Sequence, residues 1–353
     1  MGGLSKKAFQ LEKLRHRKSQ PSLTLDAGGL LFKGRRLPPG LKEPNTTRAR
    51  AIIDAYNIMA YDAVGISARD LAAGLDFLIT MNERAHFPWL SANLVNKSTG
   101  RPLFTPSISR KVGDLNIAVI GLTGRDAGSA LVESDQAVIL PWQQVLPTLV
   151  ATLTPDNDML VLLSSCLPAE NEAIGRELAD IHLIIQAGIG VPYYTPKKMG
   201  NALVCQTDKQ GKSLGVLQIN WQRSKVWDTE EEAKLVTVKK NELNGIVTRL
   251  NRYEQQLPAA TLQSQRGYQQ LLKMRDQVRG ELEQLQGKTV RMLASAEVPS
   301  TFTNRLIALD VSLPDDKTVL DLVKNARQQR NESAVLRRSP EKTNPAIKGK
   351  TPR

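Results

Sequence analysis

Four side chains stand where α/β proteins usually do chemistry, at or just past the carboxyl end of an apolar run. Asp26 ends LTLD, Arg69 and Asp70 follow YDAVGI, and Cys166 follows VLLSS. Arg69 could hold a phosphate or carboxylate through paired hydrogen bonds. Cys166, with an arginine close by, could ionise readily and act as a reactive thiol. The plainer expectation is a thiol half-buried at a strand end. Two carboxylates do not by themselves hold a pair of metal ions. Imidazole is scarce: of three histidines, His16 lies in a basic leading segment, His86 precedes Phe87-Pro88, and His182 sits inside an apolar run. Ligands must converge on one pocket, and none of these occupies a strand end, so each is expected to be structural or superficial.

The 353 residues suffice for one large domain and an accessory part. Apolar residues make up 41%, as in a globular core. No run approaches the roughly 18 apolar residues of a membrane span. The start, MGGLSKKAFQLEKLRHRKSQ, is basic and lacks the apolar centre of a secretory signal. Cys166 and Cys205 are expected to be buried free thiols, with a disulfide or a reactive thiol as alternatives. No CxxC, CxxCH or zinc-like spacing exists, which excludes the common haem and zinc-knuckle sites. The net charge of +13 is uneven: residues 1–50 hold twelve Lys/Arg and three acids, and residues 324–353 hold nine and two. No aromatic residues interleave with the basic tail to stack on bases, so no specific nucleic-acid partner is expected.

These candidates need strands and helices to position them. Apolar runs at 21–26, 61–66, 87–95, 107–122, 158–165 and 181–186 read as strands, and 4–19, 47–59, 70–83, 141–153 and 168–180 as helices. NALVCQT and LGVLQINW are expected to pair around the turn KQGKS, giving a mixed sheet. Residues 229–257 repeat Val236, Leu243, Leu250 and Leu257 every seventh position, and 262–293 repeat Leu271, Val278, Leu285 and Met292. Two heptad helices around Pro258 predict an antiparallel helical hairpin, or two segments that zip with a partner chain. Residues 301–327 read as strand, Pro turn and helix; 331–353 are expected to be disordered.

The order of phrases resembles the catalytic domain of the 5'-nucleotidase/UDP-sugar hydrolase family, among the calcineurin-like metallophosphoesterases. The resemblance rests on GGL (2–4), LTLDAGGLLFKG (23–34), YDAVGISARDLAAG (61–74), FPWLSANLV (87–95), KVGDLNIAVIGLTG (111–124), VLLSSCL (161–167), IHLIIQAGIGVP (181–192) and NALVCQTDKQGKSLG (201–215). It implies an α/β fold, a four-layer αββα sandwich lacking its first strand, followed by the hairpin or coiled coil. The expected division is 1–225 for the sandwich, 228–295 for the hairpin, 296–330 for a strand-turn-helix segment and 331–353 for the basic tail.

That family hydrolyses phosphoesters with two metal ions that clamp the phosphate and activate a water. Its ligands are Asp, Asn and His in five motifs. The first, Asp-x-His, has no counterpart here. At the others the resemblance places the ligand positions on Gly29, on Ala68 and Arg69, on Ser165, and on Gly188 and Gly190. A fixed cation at Arg69 repels a dication. The resemblance therefore implies a degenerate member with no cofactor expected, and a possible residual site of Asp26, Arg69, Asp70 and Cys166. The main expectation is a non-catalytic scaffold that binds a protein partner or itself through 228–295. The alternatives are a metal-dependent phosphohydrolase with non-standard ligands, and a thiol- or anion-sensing module around Cys166 and Arg69. The family is exported; no export signal stands in this chain, and an upstream reading frame encoding a strand and an apolar segment is one expectation. The family's nucleotide-recognising second domain is replaced by the hairpin. TFTNRLIALDVSLPDD looks like the segment that follows this domain in some multihaem-linked relatives, though without CxxCH no haem is implied.

Overall fold

The computed structural model describes residues 3–17, 20–38, 40–125, 136–187, 193, 195–208, 211–222, 225–227, 230–293 and 299–336. The first half runs α1 (Leu4–Arg17), β1 (Leu25–Asp26), α2 (Lys42–Ile58), β2 (Ala63–Gly65), α3 (Leu75–Arg84), β3 (Trp89–Leu90), β4 (Leu94–Asn96), β5 (Ser107–Val112), β6 (Leu115–Leu122), β7 (Ala137–Ile139) and α4 (Trp142–Leu153). It continues with β8 (Met159–Ser164), α5 (Pro168–Glu177), β9 (Leu183–Gln186), β10 (Lys197–Met199), β11 (Ala202–Cys205), β12 (Ser213–Asn220), α6 (Glu230–Gln256), α7 (Ala259–Leu262), α8 (Arg266–Leu293), β13 (Thr301–Ala308) and α9 (Lys317–Leu336).

β8 is apolar at five successive positions because both its faces are covered. Leu160 and Leu162 point into a cluster with Trp142, Leu146 and Ile174 of α4 and α5. The alternate residues face a second sheet: a side chain at Gly65 of β2 would meet Leu163, and one at Gly121 of β6 would begin 2.2 Å from the Leu90 backbone of β3. Gly121 is thus the point where two sheets approach too closely for any side chain. The large sheet is mixed, in the order β10-β11-β9-β8-β6-β5, and the small one is β1-β2-β3, all parallel. Helices α1, α2, α3 and α9 cover the small sheet through a cluster that includes Leu11, Ile53, Val64, Leu78 and Val319. Two sheets between two helical layers make the four-layer αββα sandwich.

Four expectations need correction. NALVCQT and LGVLQINW do not pair: β11 lies between β9 and β10 and has no free edge, so β12 pairs with β13 from beyond the hairpin. The helix expected from Asp70 begins at Leu75, because residues 69–73 turn and Gly74 has φ +100°. FPWLSANLV splits into β3 and β4 because Ser91 and Asn93 turn their side chains onto Thr123 and the Leu140 carbonyl. The helix α9 also continues to Leu336, into the segment expected to be disordered; residues 337–353 lie outside the described residues.

The chain forms two compact units, residues 1–217 with 304–353, and residues 218–303. In the second, α6 and α8 run antiparallel around Ile246, Leu250, Leu262, Tyr268 and Val278. Lys239 bridges to Glu281 at 2.8 Å, and the Tyr268 hydroxyl donates to Glu254 at 2.8 Å. At its base Trp227 is fully buried between Trp221 and Phe302.

Candidate functional site

The parallel strands deliver their carboxyl ends to one place. Past β1 lie Ala27, Gly28 and Gly29; past β2 lie Ile66, Ser67, Ala68, Arg69 and Asp70; past β8 lie Ser165 and Cys166. The Ser165 hydroxyl donates to the Ile66 carbonyl at 2.8 Å and accepts from the Gly124 amide at 2.9 Å, which ties β8, β2 and β6 together. Ser165 is thus a peg between strand ends.

Asp70 is fully buried. One of its oxygens accepts from the Leu30 and Leu31 amides at 2.8 and 3.0 Å. The other accepts from the Gly29 amide at 2.7 Å, the Ser67 amide at 2.9 Å and the Ser67 hydroxyl at 3.0 Å. Burial pushes the Asp70 carboxyl above its ordinary range, against the pull of the Leu31, Gly29 and Ser67 donors. With five donors on two oxygens, its acceptor capacity is spent on the loops after β1 and β2.

Arg69 lies half-buried beside Gly29. Its guanidinium stands 3.5 Å from the point where a side chain at Gly29 would begin, and Gly29 has φ +79°, a conformation glycine adopts freely. The cation thus lies against the loop that follows β1. Ala68 is buried in the apolar cluster of the small sheet. Gly188 and Gly190 lie outside the described residues.

Asp26 is held from the other side. One oxygen accepts from the Gly28 amide at 3.0 Å, the other from the Tyr56 hydroxyl at 2.8 Å, and Tyr56 in turn accepts from Lys7 Nζ at 3.0 Å. Tyr61 stacks on Tyr56 with ring centroids 4.0 Å apart. Burial, and then the nearby Asp26 charge, hold the Tyr56 phenol well above its ordinary range. Lys7 is raised overall: burial lowers it, but Tyr61 and Asp26 together outweigh that effect. Sequence reasoning missed Lys7 and Tyr56. A polar position at the start of an amphipathic helix was the only available signal, and it resembles any surface lysine.

Cys166 does not join Arg69 as an open, reactive pair: it is 6% exposed within the α4–α5 cluster. Both cysteines are free, so the disulfide alternative fails. Beside Cys166 runs a buried relay that the sequence did not announce. The Ser164 hydroxyl donates to Asn171 at 2.6 Å, Asn171 to Gln186 at 2.8 Å, and Gln186 to Gln206 at 2.6 Å. His182 is buried within β9's approach, its Nδ1 accepting the Leu160 amide at 3.0 Å, while His16 and His86 are exposed.

These residues do not fit a pair of dications. Asp70 is saturated with protein donors, Asp26 accepts one on each oxygen, Arg69 stands beside them, and among the described residues no imidazole reaches the strand ends. Among the described residues no group of three or more His, Cys, Asp or Glu could hold a metal ion.

No family model matches the sequence. Protein UshA of Escherichia coli is 39% identical over 97 residues, which is 28% of this chain and 18% of that protein. A 5'-nucleotidase of Vibrio cholerae is 37% identical over 98 residues, again 28% of this chain and 18% of the relative. The alignment thus spans under a fifth of each curated relative. Among solved structures, the sulfate thiohydrolase SoxB of Thermus thermophilus superposes over 94% of this chain and 48% of its own, with TM-score 0.66 at 15% identity. The 5'-nucleotidase precursor of Thermus thermophilus gives 0.63 at 16% over 96% and 54%. The calcineurin-like phosphoesterase YfkN of Bacillus subtilis gives 0.58 at 15%, over 95% and 91%. These structures share the chain's fold, and the curated 5'-nucleotidase relatives share a stretch of about a quarter of its sequence.

Proposed function

We propose that this chain is a non-catalytic relative of the 5'-nucleotidase-like metallophosphoesterases, a phosphoesterase sandwich kept as a scaffold, which engages a protein partner or a second copy through the hairpin region 228–295. One observation carries the reading. The strand-end loops that would present metal ligands are held by Asp70, which takes five hydrogen bonds from them, while Arg69 lies against Gly29. A carboxylate saturated by amides has little left to offer a metal, and a fixed guanidinium disfavours a dication nearby. The chain's own groups therefore perform the positioning that metal ions perform in a working phosphoesterase. The burial of Cys166 counts against the thiol-sensing alternative.

The test is metal content of the purified protein, measured together with hydrolysis of an aryl phosphate and of AMP in added manganese. The expected result is no stoichiometric metal and no turnover above buffer. Two metals per chain with chelator-sensitive turnover would overturn the proposal in favour of a hydrolase with non-standard ligands.

A further inference from the structure

The two basic segments of the sequence, nearly 300 residues apart, meet in the fold. α9 packs on α1 and α2, and Val319 of α9 lies in the same cluster as Ala8, Leu11, Ile52 and Ile53. Arg48 of α2 and Arg327 and Arg330 of α9 are exposed. Partial burial lowers the proton affinity of Arg48, and the charge of Arg330 lowers it further, so these two guanidiniums repel one another across the helix contact. Lys33 and Arg36 are exposed in the loop that leads into α2, as is Lys42 on its first turn.

The acidic side chains described on α2 and α9 pair elsewhere. Glu43 pairs with Arg50 at 3.6 Å, Asp54 with Arg84 at 2.7 Å and Asp321 with Lys324 at 3.8 Å. Arg48, Arg327 and Arg330 form no ion pair among the described residues. Like charges set together without a counter-charge are destabilising unless an anion is bound there. Leu41, at the N-cap of α2 beside Lys42, is 49% exposed, and among the described residues none of the exposed large apolar side chains is aromatic. Nucleic-acid grooves pair basic residues with aromatic rings for base stacking. Basic residues around an aliphatic side chain suit a lipid headgroup layer.

We propose that the N-terminal half of α2 and the C-terminal half of α9 form a docking surface for anionic phospholipid, with Arg48, Arg327 and Arg330 against headgroup phosphates and Leu41 entering the acyl boundary. The test is sedimentation of the full chain with vesicles of phosphatidylcholine, alone or mixed with phosphatidylglycerol. The expected result is binding to the mixed vesicles only, lost at about 0.5 M salt where charges are screened within a few ångströms. The variant R48E/R327E/R330E should bind at least about tenfold more weakly. R327E/R330E, which alters only exposed side chains, should show a smaller loss with an unchanged melting profile. A control with the same charge change on the hairpin, R249E/R252E/R279E, should bind like the parent. Equal losses in control and triple variant, equal binding to neutral vesicles, or tighter binding to a single-stranded oligonucleotide than to vesicles would each overturn the proposal.

Discussion

Asp70 is the carboxylate on which the strand-end loops hang. Asp70→Ala leaves four buried amides and the Ser67 hydroxyl without their acceptor, and it should cost about 3–5 kcal/mol, as loss of a buried charged partner does. Urea unfolding reads this directly; a loss under about 1 kcal/mol would mean the loops are held by something else. Cys205 makes the prediction with a pH sign. Its side chain is half-buried rather than buried as expected, and desolvation raises the thiol to about 12, above the roughly 8.5 of an unfolded cysteine. A raised folded value stabilises in full below the unfolded one and loses that contribution as pH rises through the folded one. Between pH 8.5 and 12 the parent should therefore lose stability relative to Cys205→Ala, while below pH 8 the gap should be constant. A flat difference across the alkaline range would contradict the burial. That Gly29, Ala68, Arg69 and Ser165 stand just past strand ends was legible in sequence, because each follows an apolar run. What these residues do there was not, because Asp70 meets Gly29 and Leu30 across about forty residues of chain.

At the scale of elements, local pattern was a good guide wherever one face or both faces of a segment were apolar. The runs of β6, β8 and β9 were readable from composition, as were α4, α5 and the two long helices. Pairing was less so. β11 and β12 look like a hairpin because a Gly-containing turn joins two apolar runs, yet β11 is enclosed by β9 and β10 and the partner of β12 lies some eighty residues further on. Only the tertiary fold decides which edge is free. Close approach of sheets is equally silent in sequence. Gly121 lies in LNIAVIGL like any strand glycine, but a methyl there would begin 2.2 Å from the Leu90 backbone, so β3 would have to shift. Gly121→Ala should cost about 1–3 kcal/mol, typical of overpacking, in thermal or urea unfolding. A neutral outcome would mean that the two sheets separate easily at this point.

At the scale of the molecule, the first unit is assembled from both ends of the chain. α9 supplies Val319, fully buried, to the cluster over the small sheet, and its leading turn is fastened to α1: Ser5 donates to Asp315 at 2.6 Å and the Asp316 amide to the Ser5 carbonyl at 3.0 Å. The intervening hairpin leaves and re-enters the chain at neighbouring points, since the Ser300 amide donates to the Val226 carbonyl at 2.6 Å. The hairpin has its own apolar core, whereas the first unit's core is incomplete without the return segment. Two deletions should therefore behave oppositely. Replacing residues 228–299 with a short glycine-rich linker should keep the first unit's cooperative unfolding and near-ultraviolet signal, with helix content reduced by that of the hairpin. Stopping the chain after residue 303 removes fewer residues but withdraws α9, exposing the face of α2 and α1 that it covers, and should abolish the cooperative transition. If instead the shorter truncation folds and the hairpin deletion does not, the hairpin is what organises the chain, and the return segment is only an appendage.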